Sequence, residues 1–395
     1  AERFVEKLLE NIRLSEDSEL RNYWDRFCSN QNSLEEINLV LGHSPFLANI
    51  LVAEPYFSRT LYSSGPEEAL ASIKSDFSRI DPYTASEISL KRSLRVLRKK
   101  VALTCAVADC HSAWELTTIT QTLSDFADAA LSVAIKYLLL TAHKGGEFIV
   151  QNTKDPELQC GFICLGMGKL GAKELNFSSD IDLIFLFDSD SKNYIGRKSK
   201  QEFFSQLARK LVTIMEERTS DGHVFRVDLR LRPDPGSTPP ALSTLAAETY
   251  YESAGQNWER AALIKARPVA GDLEAGRNFI DSLKPFIWRR NLDFAAIKDI
   301  QSIKRQINTT QGNNQRKIPG HNIKLGRGGI REIEFFTQTR QLIVGGRDPD
   351  LQVPETLVAL VKLAEKGWVS TDTSKRLAEH YRFLRKVEHL LQMVN

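Results

Sequence analysis

Apolar residues recur every three to four positions along two long stretches in the first third of the chain. In Ser86–Cys110 they fall at Ile88, Leu90, Leu94, Leu97, Val101 and Leu103, and a second such pattern runs from Ala113 to Leu140. Both stretches are expected to be helices with one apolar face. Lys91, Arg92, Arg95, Arg98, Lys99 and Lys100 lie between the apolar positions of the first and read as a solvated basic face. Pro55, Gly65-Pro66 and Pro82 punctuate shorter helices upstream.

The period then changes. Phe162–Leu165 and Ile181–Phe187 are apolar runs of strand length, and Val224–Arg232 alternates without a break. Phe225, Val227, Leu229 and Leu231 are expected on one side of that strand, with Arg226, Asp228, Arg230 and Arg232 on the other. Between these runs, Lys198–Arg218 places Phe203, Phe204, Leu207, Leu211, Ile214 and Met215 at helical spacing. Helical spacing returns after residue 255. A stripe of Trp258, Ala261, Ala262 and Lys265 leaves Arg260 and Arg267 available toward the strand-containing domain, Gly345-Gly346 ends a further helix, and Thr371–Val394 forms the last. Asn308–Lys324 is a long polar connection of the kind that is either functional or disordered. The expected fold is α+β and predominantly helical, with a small mixed-sheet domain at 144–255 between a helical region at 1–143 and a helical domain at 256–395.

Composition narrows the class. With 42% hydrophobic and 26% charged residues the chain is neither disordered nor collagenous. The longest apolar stretch, Ala129–Ala142, is interrupted by Lys136 and too short to span a bilayer, and no signal peptide opens the chain. Cys28, Cys105, Cys110, Cys160 and Cys164 form no C-x-x-C pair, which argues against a zinc site or a disulfide framework and for the reducing cytoplasm. His43, His111 and His143 have no partner pattern. A net charge of +3 does not demand nucleic acid, although Arg289, Arg290, Lys304, Arg305, Arg316 and Lys317 cluster in sequence. The chain starts at Ala1 and stops inside a helical pattern, as a fragment of a longer protein would.

The candidate chemistry sits in Gly161–Asp188. A strand opens into a turn with Gly166, Gly168, Lys169 and Gly171, and the next strand begins on Asp180 and Asp182. Two carboxylates at i and i+2 of a strand stand about 6–7 Å apart on one face, a pair suited to a hard divalent cation. Magnesium is the expected metal, because it takes one or two carboxylates together with phosphate oxygens and water. The same glycines fit a dinucleotide-binding fingerprint. Only the nine residues Ala172–Asp180 separate Gly171 from the next strand, too few for the crossover helix such a site needs. Asp228 would complete a carboxylate triad, and Arg226, Arg230 and Arg232 would neutralise phosphate oxygens. Backbone N–H groups at Gly166–Lys169 would hold non-reacting phosphates, and Ser178 or Ser179 would add a hydroxyl. Gly326–Glu332 is either a second anion-binding loop or a tight turn between helices.

These motifs resemble the nucleotidyltransferase superfamily of DNA polymerase beta. Its pattern is an apolar residue, Gly, then Gly or Ser, followed about ten residues later by Asp-apolar-Asp-apolar. Met167-Gly168 and Asp180-Ile-Asp182-Leu183 fit, and Lys169 departs where Gly or Ser is usual. GMGKLG, ELNFSSDIDLIF, VFRVDLRLRP, NWERAALIKAR and KLGRGGIREIEF together are more closely similar to the bifunctional glutamine synthetase adenylyltransferase/adenylyl-removing enzymes, from about residue 90 to the C-terminal end. The resemblance implies a polymerase beta-like catalytic domain, a two-magnesium site on Asp180, Asp182 and Asp228, and nucleotide and inorganic phosphate as ligands. It implies adenylylated glutamine synthetase and a nitrogen-status PII signal protein as partners. The Asn-Phe-Ser-Ser form ahead of the aspartates looks like the N-terminal, adenylyl-removing half, which releases ADP by phosphorolysis. The ATP-dependent adenylyltransferase half, a nucleic-acid nucleotidyltransferase and a catalytically silent sensor module are the alternatives.

Overall fold

The structure, a computed structural model, describes residues 2–13, 16–290 and 322–394. Residues 308–321 of the expected polar connection lie outside the described residues, as do Lys304, Arg305, Arg316 and Lys317 of the basic cluster.

Ser86 starts the first long helix, Glu87–Cys110. Its hydroxyl accepts from the Ser89 amide at 3.1 Å, and the Ser89 hydroxyl accepts from the Ser86 amide at 3.0 Å, a reciprocal cap. Leu90, Leu94, Leu97 and Val101 are buried along it, whereas Ile88 is exposed. The expected solvated basic face is overturned. Arg95 is fully buried and donates to the carbonyls of Ile214, Glu217 and Gly222, the first two at the C-terminal end of the helix Lys200–Glu216. Carbonyls in a last helical turn have no partner within their own helix, and a guanidinium can serve several at once. Lys91 pairs with Glu217, Lys99 with Asp221, and Arg98 donates to the carbonyl of Phe177. The second long helix, Leu116–Lys144, packs on the first and on the sheet, burying Ile119, Leu123, Ala127, Leu131, Ile135 and Leu139.

The sheet holds β1 (Phe162–Gly166), β2 (Ile181–Phe187), β3 (Val227–Asp228), β4 (Ala241–Ser243) and β5 (Arg267–Gly271). Its order is β3-β2-β1-β5, with β4 also beside β2. The β1–β2 pair is antiparallel, from Phe162 opposite Phe187 to Gly166 opposite Leu183. The other edge of β2 is parallel, first to β3 and then to β4. β5 runs antiparallel to β1 with a register shift between Cys164 and Leu165, where Pro268 sits opposite Leu165. The sheet thus takes a strand from beyond residue 255.

Both faces are covered, which explains why β2 reads as an apolar run broken only by Asp182. Ile181, Leu183, Phe185 and Phe187 join the cluster of the N-terminal helices together with Phe203, Phe204 and Leu207 of Lys200–Glu216. Ile184 and Leu186 point the opposite way, to a second cluster with Tyr251, Phe279 and Phe286.

The expected strand Val224–Arg232 is cut to the two residues of β3. The Asp228 carboxylate accepts from the Arg230 amide at 2.8 Å, a side-chain turn that takes the backbone out of the ladder. Arg232 then bonds back to the Leu229 carbonyl at 3.3 Å. Val227 and Leu229 still pack on the first cluster, but Leu231 crosses to the second.

The stripe expected after residue 255 also folds differently. The helix Asn257–Leu263 buries Arg260, which donates to the carbonyls of Phe286 and Ile287 at 2.9 and 3.1 Å and does not face the strands. Lys265 lies past the end of that helix, but Arg267 in β5 does turn toward the glycine turn as expected, donating to the carbonyls of Leu170 and Gly171 at 3.1 Å while it forks onto Asp128 at 2.9 and 3.1 Å. The C-terminal helices Ile330–Val344, Thr356–Glu365 and Thr371–Val394 close on their own cluster of Ile330, Ile333, Leu360, Ala378 and Tyr381. In the loop before them the Gly328 amide donates to the Glu332 carboxylate at 2.8 Å, so that amide is satisfied within the turn.

Candidate functional site

Asp182 and Asp228 are in register across the parallel β2–β3 pair, so their side chains emerge on the same face. The glycine turn closes against them. Gly168 has φ +51°, and a Cβ placed there would stand 3.2 Å from Asp182 Oδ2, so a side chain would be strained and press on the carboxylate. The Met167 amide donates to the Asp182 carbonyl at 2.9 Å and is already engaged. Gly171 is equally constrained, because an added Cβ would collide with the Lys265 carbonyl. The helix Gly168–Gly171 is a single turn, too short for a substantial dipole.

Asp180 sits at the mouth, half exposed, and its carboxylate takes the Arg226 guanidinium, which also donates to the Ser178 carbonyl at 2.8 Å. Arg230 lies over Asp228, its Nε at 3.0 and 2.8 Å from the two carboxylate oxygens. The hydrogen bonds from Arg230 hold the Asp228 carboxyl below the usual range. Burial, reinforced by the charges of Asp228 and Asp180, pushes Asp182 up to about 6. Among the described residues no three His, Cys, Asp or Glu side chains gather as a ready metal cage. The donor set nonetheless fits a hard cation, since Asp182 and Asp228 face each other, Asp180 adds its charge, and the repulsion they share is what a cation would relieve. Such a cation would displace Arg226 or Arg230 from its carboxylate.

The other expected phosphate ligands divide. Arg226 and Arg230 flank the carboxylates. Arg232 does not join them, because its guanidinium donates to the carbonyls of Leu229 at 2.9 Å, Pro235 at 2.8 Å and Thr238 at 3.2 Å, clamping its own loop. Ser178 is exposed and its amide donates to Gln392 at 3.1 Å, and Ser179 is partly exposed beside Asp180. Lys169 turns away, placing its Nζ 3.2 Å from both oxygens of Glu388 on Thr371–Val394. Burial and then Arg385 push that amine down to about 8, against the pull of Glu388.

Sequence reasoning missed a buried charge network behind the turn. Lys265 Nζ lies 2.6 Å from Glu174, 3.0 Å from the Thr356 hydroxyl and 3.7 Å from Glu334. Arg385 donates to the Glu174 carbonyl at 2.7 Å, to Asn176, and to the Tyr381 hydroxyl at 2.9 Å. Burial works against the charge on Lys265, but Glu174 and Glu334 outweigh it and leave the amine raised. Glu174 and Glu334 sit among other polar residues, Lys173 and Asn176 beside the first and Arg331 and Glu332 before the second, so nothing local marked them as buried. Lys324 was missed as well. It is exposed, its ammonium makes no ion pair among the described residues, and its charge acts on Asp182, Lys169 and Glu334.

Comparison with known proteins places the chain in a family. Residues 34–282 match the family described as glutamate-ammonia ligase adenylyltransferase, and residues 301–395 match the family described as GlnD PII-uridylyltransferase. A bifunctional glutamine synthetase adenylyltransferase/adenylyl-removing enzyme of Mesorhizobium japonicum is 50% identical over 356 residues, 90% of this chain and 36% of the relative. Its namesake in Brucella suis is 48% identical over 91% of the chain and 36% of the relative, and that of Rhizobium meliloti is 55% identical over 76% of the chain and 31% of the relative. The chain therefore spans about a third of the length of the curated relatives it matches. On the match over 34–282 and these identities, the chain belongs to the glutamate-ammonia ligase adenylyltransferase family.

Proposed function

We propose that this chain removes AMP from adenylylated glutamine synthetase by phosphorolysis, releasing ADP, with magnesium at a polymerase beta-like nucleotidyltransferase site. The observation that carries this reading is Asp182 in register with Asp228 beside the glycine turn, with Arg226 and Arg230 on the two flanking carboxylates. Hard oxygen donors and guanidinium forks meet there, the combination that phosphate chemistry requires. The substrate is inferred from the names of the relatives, and the direction from Asn176-Phe177-Ser178-Ser179, the form that resembles the N-terminal half of the family.

Asp182 and Asp228, with Asp180 beside them, would hold the metal, which supplies Lewis-acid stabilisation of the oxygens on either side of the reacting phosphorus. An oxygen of inorganic phosphate forms the new bond to the adenylyl phosphorus, the bond from phosphorus to the tyrosyl oxygen breaks, and that oxygen takes a proton from solvent. The chain supplies no nucleophile. Its work is to align phosphate with the ester, and Arg230, exposed on Asp228, and Arg226, exposed on Asp180, can each turn a fork onto phosphate once a cation takes the carboxylate. Lys324 adds positive charge on the Asp182 side. A PII signal protein is the proposed regulatory partner, in keeping with the family name matched by residues 301–395, and the cytoplasm the proposed location. No helix among the described residues is long and apolar enough to cross a membrane. The engagement of Lys91, Arg95, Arg98 and Lys99 with carboxylates and carbonyls argues against a nucleic-acid surface on that helix.

The test is chromatography of the nucleotide released from adenylylated glutamine synthetase with magnesium, with and without phosphate. Phosphate-dependent ADP is expected. Phosphate-independent AMP, or ATP-dependent labelling of unmodified glutamine synthetase with release of pyrophosphate, overturns the removal reading.

A further inference from the structure

Between the glycine turn and the catalytic strand, residues 169–178 carry the chain to Asp180 and Asp182. One face of the last helix, Thr371–Val394, holds this segment at successive points. Glu388 takes the Lys169 ammonium, with both oxygens at 3.2 Å. Arg385 donates to the Glu174 carbonyl at 2.7 Å and to the Asn176 side chain, and its Nε lies 3.4 Å from Glu388. The His389 ring stands edge-on to Phe177, with centroids 5.1 Å apart, and is anchored from behind by Asp109 at 2.9 Å. Gln392 accepts the Ser178 amide at 3.1 Å. Positions 385, 388, 389 and 392 follow the i, i+3, i+4, i+7 rule of a single helical face, here polar where a packing helix normally presents aliphatic side chains. Arg385, Glu388 and His389 are all buried, and polar groups that are costly to bury are placed against this segment, which supplies the Lys169 ammonium to Glu388 and the Glu174 carbonyl and Asn176 side chain to Arg385.

We propose that Arg385, Glu388, His389 and Gln392 form a polar brace that sets the position of residues 169–178 and, through them, of Gly168 and the Asp180–Asp182 pair, making the C-terminal helix a positioning element of the active site. The last link is geometric. Lys169 immediately follows Gly168, which abuts Asp182, and Ser178 lies two residues before Asp180 and is bonded to Arg226, the partner of Asp180. Displacement of the helix face therefore moves both ends of the acidic site. Lys169, which departs from the general nucleotidyltransferase pattern, is accounted for as the handle that Glu388 holds. The brace rests on the proposed function for its effect on turnover and on geometry alone for its effect on the segment.

Hydrogen exchange of the segment spanning residues 166–182, run beside turnover with adenylylated glutamine synthetase, tests it. The variants are Glu388→Gln and Gln392→Ala, with Lys386→Ala, a surface residue of the same helix, as control. Both test variants are expected to speed amide exchange in 166–182 while exchange in the helix Glu87–Cys110 stays at the wild-type rate. They are expected to lower kcat roughly 10- to 100-fold, as misplacement of about 1 Å does, with little change in KM for the protein substrate. Lys386→Ala should do neither. If Glu388→Gln fails to fold, Gln392→Ala decides alone, because its contact is at the surface. Unchanged exchange overturns the brace, and faster exchange with undiminished kcat overturns its positioning role. A wild-type chain that releases neither ADP nor AMP and labels nothing sinks the function reading, and the exchange rates then decide the brace by themselves.

Discussion

Asp182 and Asp228 stand opposite each other in one parallel strand pair, yet their carboxyls are driven in opposite directions. Arg230 stabilises the charge on Asp228, whereas burial and the charges of its two neighbours raise Asp182 to about 6. One carboxylate of the pair is thus comfortable without a ligand and the other is not, an imbalance typical of sites tuned for chemistry.

Replacing Asp182 by Asn should therefore stabilise the metal-free chain while abolishing turnover. A carboxyl whose folded value lies above its unfolded 3.8 favours folding most at low pH, and that contribution is lost as pH rises through about 6. The advantage of Asp182→Asn over wild type should grow between about pH 4 and 6 and then level off near 1–2 kcal/mol, allowing for partial exposure. Thermal melts across that range check it. Magnesium should raise the melting temperature of wild type and leave the variant unmoved. A variant less stable than wild type at pH 7 would contradict the electrostatic account.

Arg230→Met separates the two roles given to that guanidinium. Losing the fork removes a competitor for Asp228, so magnesium binding to the free protein should hold or tighten. It also removes a phosphate ligand, so KM for phosphate should rise about 10-fold or more. Titration calorimetry with magnesium alone and phosphate-dependent kinetics give the two numbers, and a parallel loss of both would make Arg230 merely structural.

The sequence was readable where structure is decided locally. β2 appears with the bounds its apolar run implies because a strand covered on both faces needs no polar positions, and Thr371–Val394 keeps a helical period from end to end. Val224–Arg232 was misread because alternation records which faces are apolar and says nothing of a carboxylate that bonds the amide two residues on, as Asp228 does with Arg230. The basic helix was misread for a different reason. Besides the Lys91 carbonyl, the partners of Arg95 lie more than 110 residues away, and a cation that caps a distant helix end has the same local sequence as one in water. In the candidate site, the facing of Asp182 and Asp228 follows from strand chemistry visible in the chain. The turning of Lys169 toward Glu388 depends on a helix that only tertiary packing brings near, whereas Arg232 turns onto carbonyls three to six residues away, which strand alternation does not reveal.

Lys265→Met should be the most damaging substitution in the buried network. It leaves Glu174 and Glu334 without their shared cation, and breaking one side of a buried pair costs about 3–5 kcal/mol. Adding Glu174→Gln should return part of that loss, because a neutral amide can still accept from the Thr356 amide, now 2.7 Å from Glu174. Denaturant titration of both variants is the measurement, and a double variant no more stable than Lys265→Met would place the cost in packing.

Lys324 offers the contrasting case of a charge that the fold does not use. Its side chain is exposed and makes no ion pair among the described residues, so Lys324→Ala should leave the melting temperature unchanged within about a degree. Its charge nevertheless acts on Asp182 and would act on any phosphate held there. KM for phosphate should rise about 3- to 10-fold, the rise shrinking as salt is added, since an exposed charge acts through screened solvent. Lys169→Met is the matched comparison, a lysine at the same site whose amine is buried on Glu388: it should lower the melting temperature and show no such salt dependence. If Lys324→Ala leaves phosphate kinetics untouched at low salt, the loop that carries it stands outside the phosphate site, and Arg226 and Arg230 hold the anion without it.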